Sequence, residues 1–259
     1  MVEKIIKEIQ SLNVDEINDY ILKRRQNLLS REKNKHRFIH YSICTPNVYK
    51  QYLDENCDIY IDQFGEISFF LDDQEYLCLK LIEKIKTKPC NSITDVSKIV
   101  TEVIYDYFGG VKVNGGEKER LSHLKTTGEK NYLSAFKGTT HGFCVEKAIV
   151  AHQLFKFLGI DSSFVYSPTL VNGEKIIHAF NLISFNNQDC IYDSSLVDHT
   201  SEETEYNCIV KFEGCDLKKL QNLPPRTLKS QSGKTIVCVY NPDNHPAFQI
   251  DKGYVSEPV

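Results

Sequence analysis

The chain has no tryptophan. Among its nine cysteines (Cys44, Cys57, Cys78, Cys90, Cys144, Cys190, Cys208, Cys215 and Cys238) no two form a C-x-x-C pair. An odd number of cysteines without close pairs argues against a zinc ribbon and against a disulfide framework. It fits a reducing, cytosolic compartment. Nowhere does an apolar run approach the ~18 residues of a membrane span. The N-terminal MVEKIIKEIQ carries no apolar stretch of signal-peptide length. A cytoplasmic protein without a membrane partner is therefore expected, with signal-independent export still compatible. A large excess of one charge is missing too: the formal net charge of −4 gives no reason to expect nucleic acid as a partner. There is no internal repeat and no low-complexity tract, and neither a metal site nor a cofactor is expected.

What is present is an ordinary globular composition, 41% hydrophobic and 25% charged over 259 residues. That length suits one large domain or a domain with an appendage. Val2, Ile5, Ile6, Ile9 and Leu12 recur at helical spacing, and Asn13 ends that helix. Asp15 is a candidate cap for a second helix carrying Ile17, Tyr20, Ile21, Leu28 and Leu29. The later turns of that helix are basic (Lys23, Arg24, Arg25, Arg31, Lys33, Lys35, Arg37), either a solvated face or a surface for an anionic partner. Residues 58–71 alternate as a hairpin around Gly65. A helix over 76–85 is stopped by Pro89, and another, started by Ser92-Ile93-Thr94-Asp95, is stopped by Gly109-Gly110. Residues 111–130 are polar and glycine-bearing, a long loop and a candidate lid. The expected division is an N-terminal helical and hairpin portion, 1–90, and an α+β core, 91–259, with later strands at Cys208–Phe212 and Thr235–Tyr240.

The stretch TTHGFCVEKA carries the chemistry. Cys144, Ala148, Ala151, Phe155 and Leu158 form one stripe of an amphipathic helix that ends at Gly159. Cys144 then falls in the first turn, where unpaired N–H groups and the helix dipole favour a thiolate and can later hold an oxyanion. Gly142 allows a sharp turn and the close approach of a substrate backbone. The bland alternative is that Cys144 is merely the first core residue of this helix.

A nucleophilic cysteine needs a base, and the base needs a group that fixes its tautomer. His178 lies in the strand IIHAFNLI and Asp193 ends the strand CIYD, with Asn186-Asn187 as turn chemistry between them. Their separation places both on one face of a hairpin with an even-residue turn. A loop over Ser184–Asn187, or a bulge, is expected, since it sets the two directly opposite. His141 is a second histidine near Cys144. His152 is structural or exposed, and Glu146 serves the helix dipole, a salt link or substrate.

The motifs G-F-C-V-E-K-A, L-G-I, H-A-F-N-L-I and I-Y-D-S-S, from roughly Asp95 to Ser195, resemble the transglutaminase-like superfamily of cysteine enzymes. The resemblance implies a papain-like α+β core with the Cys helix packed on an antiparallel sheet. It also implies Cys144 as nucleophile, His178 as base and acid, and Asp193 as its orienter. Phe180 stands where the family commonly has tryptophan, and no calcium-loop pattern or zinc pair is present. Gly142, His141 and Tyr132 are the substrate-binding or lid candidates. The function expected is cysteine-dependent acyl transfer on an amide of a protein or peptide: protease, glutamine deamidase or transglutaminase type. An arylamine N-acetyltransferase-like enzyme and a catalytically silent binding module are the alternatives. Oligomeric state is not legible.

Overall fold

The computed structural model describes residues 2–32, 59–62, 66–70, 72–110, 130–139, 142–171, 173–186, 188–194, 209–212, 226–229 and 235–240. Within them the chain is α+β. Helix α1 spans Val2–Ser11 and buries Val2, Ile5, Ile6 and Ile9, the apolar spacing read from the sequence. The turn after it differs from expectation. Asn13, not Asp15, opens the next segment, its N–H donating to Glu16 Oε2 at 2.8 Å. A single 3-10 turn, Val14–Glu16, intervenes before α2 (Ile17–Glu32). The short acidic run Asp15-Glu16 is thus used inside the turn, where the unpaired N–H groups favour negative charge.

Strands β1 (Ile59–Asp62) and β2 (Glu66–Phe70) form the expected antiparallel hairpin, with Asp62 opposite Glu66. Helix α3 covers Gln74–Thr87, and its end at an extended Lys88 fits Pro89, which forbids helical geometry just before it. Helix α4 covers Ile93–Phe108. Its start is a reciprocal cap: Asp95 N–H donates to Ser92 Oγ at 3.1 Å, and Ser92 N–H to Asp95 Oδ2 at 3.0 Å. Its stop is Gly109 at φ +78°, a left-handed position that glycine takes without strain. Strand β3 (Lys130–Tyr132) pairs in parallel with β2, completing a small mixed sheet. The remainder of the expected 111–130 lid lies outside the described residues.

Helix α5 (Cys144–Phe157) leads into the larger sheet. That sheet contains β4 (Asp161–Val171), β5 (Glu174–Phe185), β6 (Gln188–Tyr192), β7 (Ile209–Phe212), β8 (Arg226–Lys229) and β9 (Thr235–Tyr240). Its order is β7-β6-β5-β4-β9-β8, and every pairing is antiparallel. Strand β5 runs beyond the expected segment IIHAFNLI at both ends. Strand β8 was not anticipated: RTLK is four residues long and has no alternation to announce it.

One expectation is corrected at α5. The helix is not amphipathic but buried nearly all round, including Val145, Glu146, Lys147, Ala148, Ile149, Val150, Ala151, His152, Leu154, Phe155 and Phe157. It packs on β4 and β5 on one side and against α2, α3 and α4 on the other. One apolar core therefore runs from Val2 to Tyr192. Fully burying each large side chain of α5 contributes about 1.5–3 kcal/mol. The C-terminal carbonyl of Phe157 accepts a hydrogen bond from Arg24, whose guanidinium also lies 5.7 Å from the Phe157 ring centroid. Arg25 pairs with Glu75 at 2.7 Å. These two members of the basic run are therefore intramolecular fasteners; Lys33, Lys35 and Arg37 lie outside the described residues.

His152 is buried, its Nδ1 3.2 Å from Ser162 Oγ, so it is structural rather than exposed. Burial, aided by the charge of Lys156, pushes the imidazole down to about 3. A base with a depressed folded value stabilises the fold above its unfolded value of about 6.5, and that contribution is lost as pH falls below it. At pH 5 the loss from this group alone is about 2 kcal/mol. Equilibrium unfolding followed against pH should show His152→Leu flattening this acid limb. An unchanged slope between pH 7 and pH 5 would remove His152 from the account.

Candidate active site

Three side chains far apart in the chain meet at the head of α5. Cys144 is the first residue of that helix, with Phe143 at the cap position. The backbone N–H of Phe143 donates to Glu146 Oε2 at 2.9 Å. Glu146 is completely buried. This settles its role as a first-turn cap and leaves the Cys144 N–H outside that exchange. The approach to Cys144 is tight. A Cβ on Gly142 would lie 2.4 Å from Phe108 Cδ1, so only glycine allows the chain to pass the end of α4 at this point. Gly138 N–H donates to Tyr107 O at 2.8 Å, pinning the same segment to α4.

His178 lies on β5, almost fully buried, and its Nε2 is 2.7 Å from Asp193 Oδ2. The remaining ring nitrogen, Nδ1, is the one left for the sulfur, and hydrogen bonding and charge from His178 are among the influences acting on the Cys144 thiol. The hairpin register differs from expectation. Phe185 pairs with Gln188, with Asn186 in the turn between them, and Asn181 pairs with Tyr192. Asn186 sits at φ +49°, a left-handed position that asparagine tolerates better than most residues. Carrying this register one step on puts Asp193 beside Phe180, two residues from His178 on the same face. The pair is thus diagonal rather than directly opposite. Diagonal neighbours stand about 7–8 Å apart at the backbone, a gap that an imidazole and a carboxylate together can span.

Asp193 is held in place from α4. The residue before it, Tyr192, has its hydroxyl 2.8 Å from Thr101 Oγ1, and the carbonyl of the residue after it, Ser194, accepts from Tyr105 Oη at 2.8 Å. Phe180 stands beside the imidazole on the same strand face, with centroids 6.3 Å apart and planes at 28°. Asn181 ties the strand to the helix: its Nδ2 donates to Ala148 O at 3.0 Å. Strand β6 pairs with β5 only from Asn181 to Phe185, and the backbone of Ala179, just beyond, is among the groups that lower the Cys144 thiol.

The electrostatics follow from these contacts. Burial pushes the Cys144 thiol up, but the hydrogen bond to His178, its positive charge and the Ala179 N–H outweigh burial and the nearby Glu146 charge. The thiol is held below its ordinary value. Burial alone would push His178 down; the charge and hydrogen bond of Asp193, then the thiol, reverse this and raise it to about 10. The opposite shifts favour a thiolate–imidazolium pair at neutral pH. Cys90 is a useful contrast, since burial and Asp95 push its thiol up to about 11. Cys78 and Cys190 are buried.

No protein-family model matches this chain, and no curated protein and no solved structure is significantly similar to it.

Of the other sequence candidates, Tyr132 stands half-exposed at the end of β3, in the small sheet, and His141 lies outside the described residues. Among the described residues no group of three or more His, Cys, Asp or Glu is arranged to hold a metal ion, and no helix is long and apolar enough to cross a membrane. Sequence reasoning passed over Lys147, Tyr105 and Asn181. The signal for Lys147 and Asn181 was in the sequence, as polar residues interrupting apolar runs next to Cys144 and His178.

Gly142→Ala is expected to destabilise the protein by about 1–3 kcal/mol through overpacking and to slow alkylation of Cys144. Adding Phe108→Leu should recover part of both. Unaltered stability and labelling in the single variant would mean that the segment before Cys144 can shift at no cost.

Proposed function

We propose that this chain is a cysteine-dependent acyl-transfer enzyme acting on amide bonds of a protein or peptide, with a transglutaminase-like, papain-like core. The observation that carries the reading is the buried His178–Asp193 pair at 2.7 Å, whose imidazole acts on the Cys144 thiol to hold it below its ordinary value. The residue order Cys, His, Asp and the motif resemblance described above support the same reading.

In the proposed reaction the Cys144 thiolate attacks the amide carbonyl, and the developing oxyanion is held by the Cys144 N–H at the positive end of α5. The His178 imidazolium, protonated at Nδ1, gives that proton to the departing amine. Nε2–H remains on Asp193 throughout, so the tautomer required for the next step is the one left behind. The resulting thioester is resolved by water or by a second amine, whose proton returns to Nδ1. Hydrolysis, deamidation and amine transfer share every step to the thioester and part only at the acceptor.

Alkylation by iodoacetamide tests the reading without a known substrate. The thiol below its ordinary value and the imidazole above 6.5 predict one cysteine that labels rapidly at pH 6–7, lost in Cys144→Ala. Asp193→Asn should slow that labelling by roughly tenfold or more, because the imidazolium loses its counter-charge. Peptide mapping that finds the rapid adduct on another cysteine, with Cys144 labelling as an ordinary thiol, would contradict the assignment.

A further inference from the structure

Lys147 is a lysine on a helix buried nearly all round, and only 6% of it is exposed. It follows Cys144 by three residues, so the two lie on neighbouring turns of the same face. Its ammonium sits 4.9 Å from the centre of the Tyr105 ring, a cation–π contact in a desolvated setting. The hydroxyl of that tyrosine is the one bonded to Ser194 O, next to Asp193. Lys147 therefore occupies the space between α4, the head of α5 and the end of β6.

The charges around it can be counted from every side. Helix α5 contributes the Cys144 thiolate and Glu146, the end of β6 contributes Asp193, β5 contributes the His178 imidazolium, and α4 presents the Tyr105 ring. The charges of Cys144, Asp193 and Glu146 all act to keep Lys147 protonated, while burial acts against it and leaves it below its ordinary value. Once Cys144 ionises there are three anions in a largely buried space and, without Lys147, one cation. Uncompensated charge in such a setting is costly, and the sulfur, the strongest base of the three anions, is the group that would take up a proton.

We propose that Lys147 is a positioning residue of this site: its buried ammonium, held over Tyr105, is the second cation, and it sustains the Cys144 thiolate in the presence of Glu146 and Asp193. This rests on the reading of Cys144 as nucleophile and adds a charge requirement to it. Lys147 acts through the field at the sulfur, not by touching substrate.

The test is the pH profile of Cys144 alkylation by iodoacetamide in the full chain, compared among four proteins. Lys147→Met keeps the apolar stem over Tyr105 and removes the charge. Its low-pH limb should move up by about one unit, so that labelling at pH 6 falls roughly tenfold while the alkaline plateau stays within about twofold of wild type. Lys147→Arg should keep the wild-type limb. Lys147→Met combined with Glu146→Gln, which removes one anion as well and keeps an acceptor for the Phe143 N–H, should restore it. A Lys147→Met limb that overlays wild type would overturn the proposal. So would a plateau lost alike in the Met, Arg and double variants, which would make Lys147 a packing residue. If wild-type Cys144 itself labelled no faster than a free thiol at neutral pH, the nucleophile reading would fail first, an outcome distinguishable from either of these.

Discussion

The buried hydrogen bond between His178 Nε2 and Asp193 Oδ2 is the contact on which the rest of the site depends. It fixes which imidazole nitrogen faces the sulfur and supplies the negative charge that keeps the ring protonated against burial. The bond exists because a long strand and a short one are joined by a tight turn through Asn186. Helix α4 then holds the carboxylate from both flanks, through Thr101 to Tyr192 and Tyr105 to Ser194. The reach of a side chain and the fixed length of a turn decide the geometry together.

The thiol is placed by a different device. Helix α5 is wedged between the sheet and three other helices, so its direction is set by packing around its whole circumference rather than along one stripe. Arg24 closes its C-terminal end, Glu146 caps its N-terminal end, and Asn181 pins its side to β5. A helix held at both ends and along its length presents Cys144 with little freedom to drift. The cost is that polar groups needed near the sulfur must also be buried, which is why Glu146, Lys147 and Asp193 are all nearly inaccessible.

Much of this was legible in the sequence, for identifiable reasons. The ends of α4 were announced by Ser92, Asp95 and Gly109, because capping chemistry is local and short in range. Cys144 at a helix start, and His178 and Asp193 on paired strands, followed from glycine and asparagine punctuation and from alternation. The register was read differently because one residue pair fewer or more leaves the face unchanged, and alternation reports only the face. The surroundings of α5 were misjudged because a helix buried on all sides still contains an apolar stripe, and the stripe was mistaken for the whole. Lys147 and Asn181 stand out locally as polar residues in apolar runs, but their partners, Tyr105 and Ala148 O, lie far away in the chain, so their roles needed the fold.

Arg24 and Arg25 carry a similar lesson. A run of basic residues in sequence suggests a surface for an anionic partner, yet these two bind a helix terminus and a glutamate of the same chain. Charge patterns count residues, whereas packing decides which of them remain available.

The protonation state of the His178 ring in the resting protein tests the central claim most directly. Nitrogen chemical shifts of labelled histidine should show both ring nitrogens of His178 protonated at pH 7.5 and still so at pH 8.5, assigned by loss of the signal in His178→Gln. A neutral His178 ring at pH 7.5, titrating near the ordinary 6.5, would contradict the account.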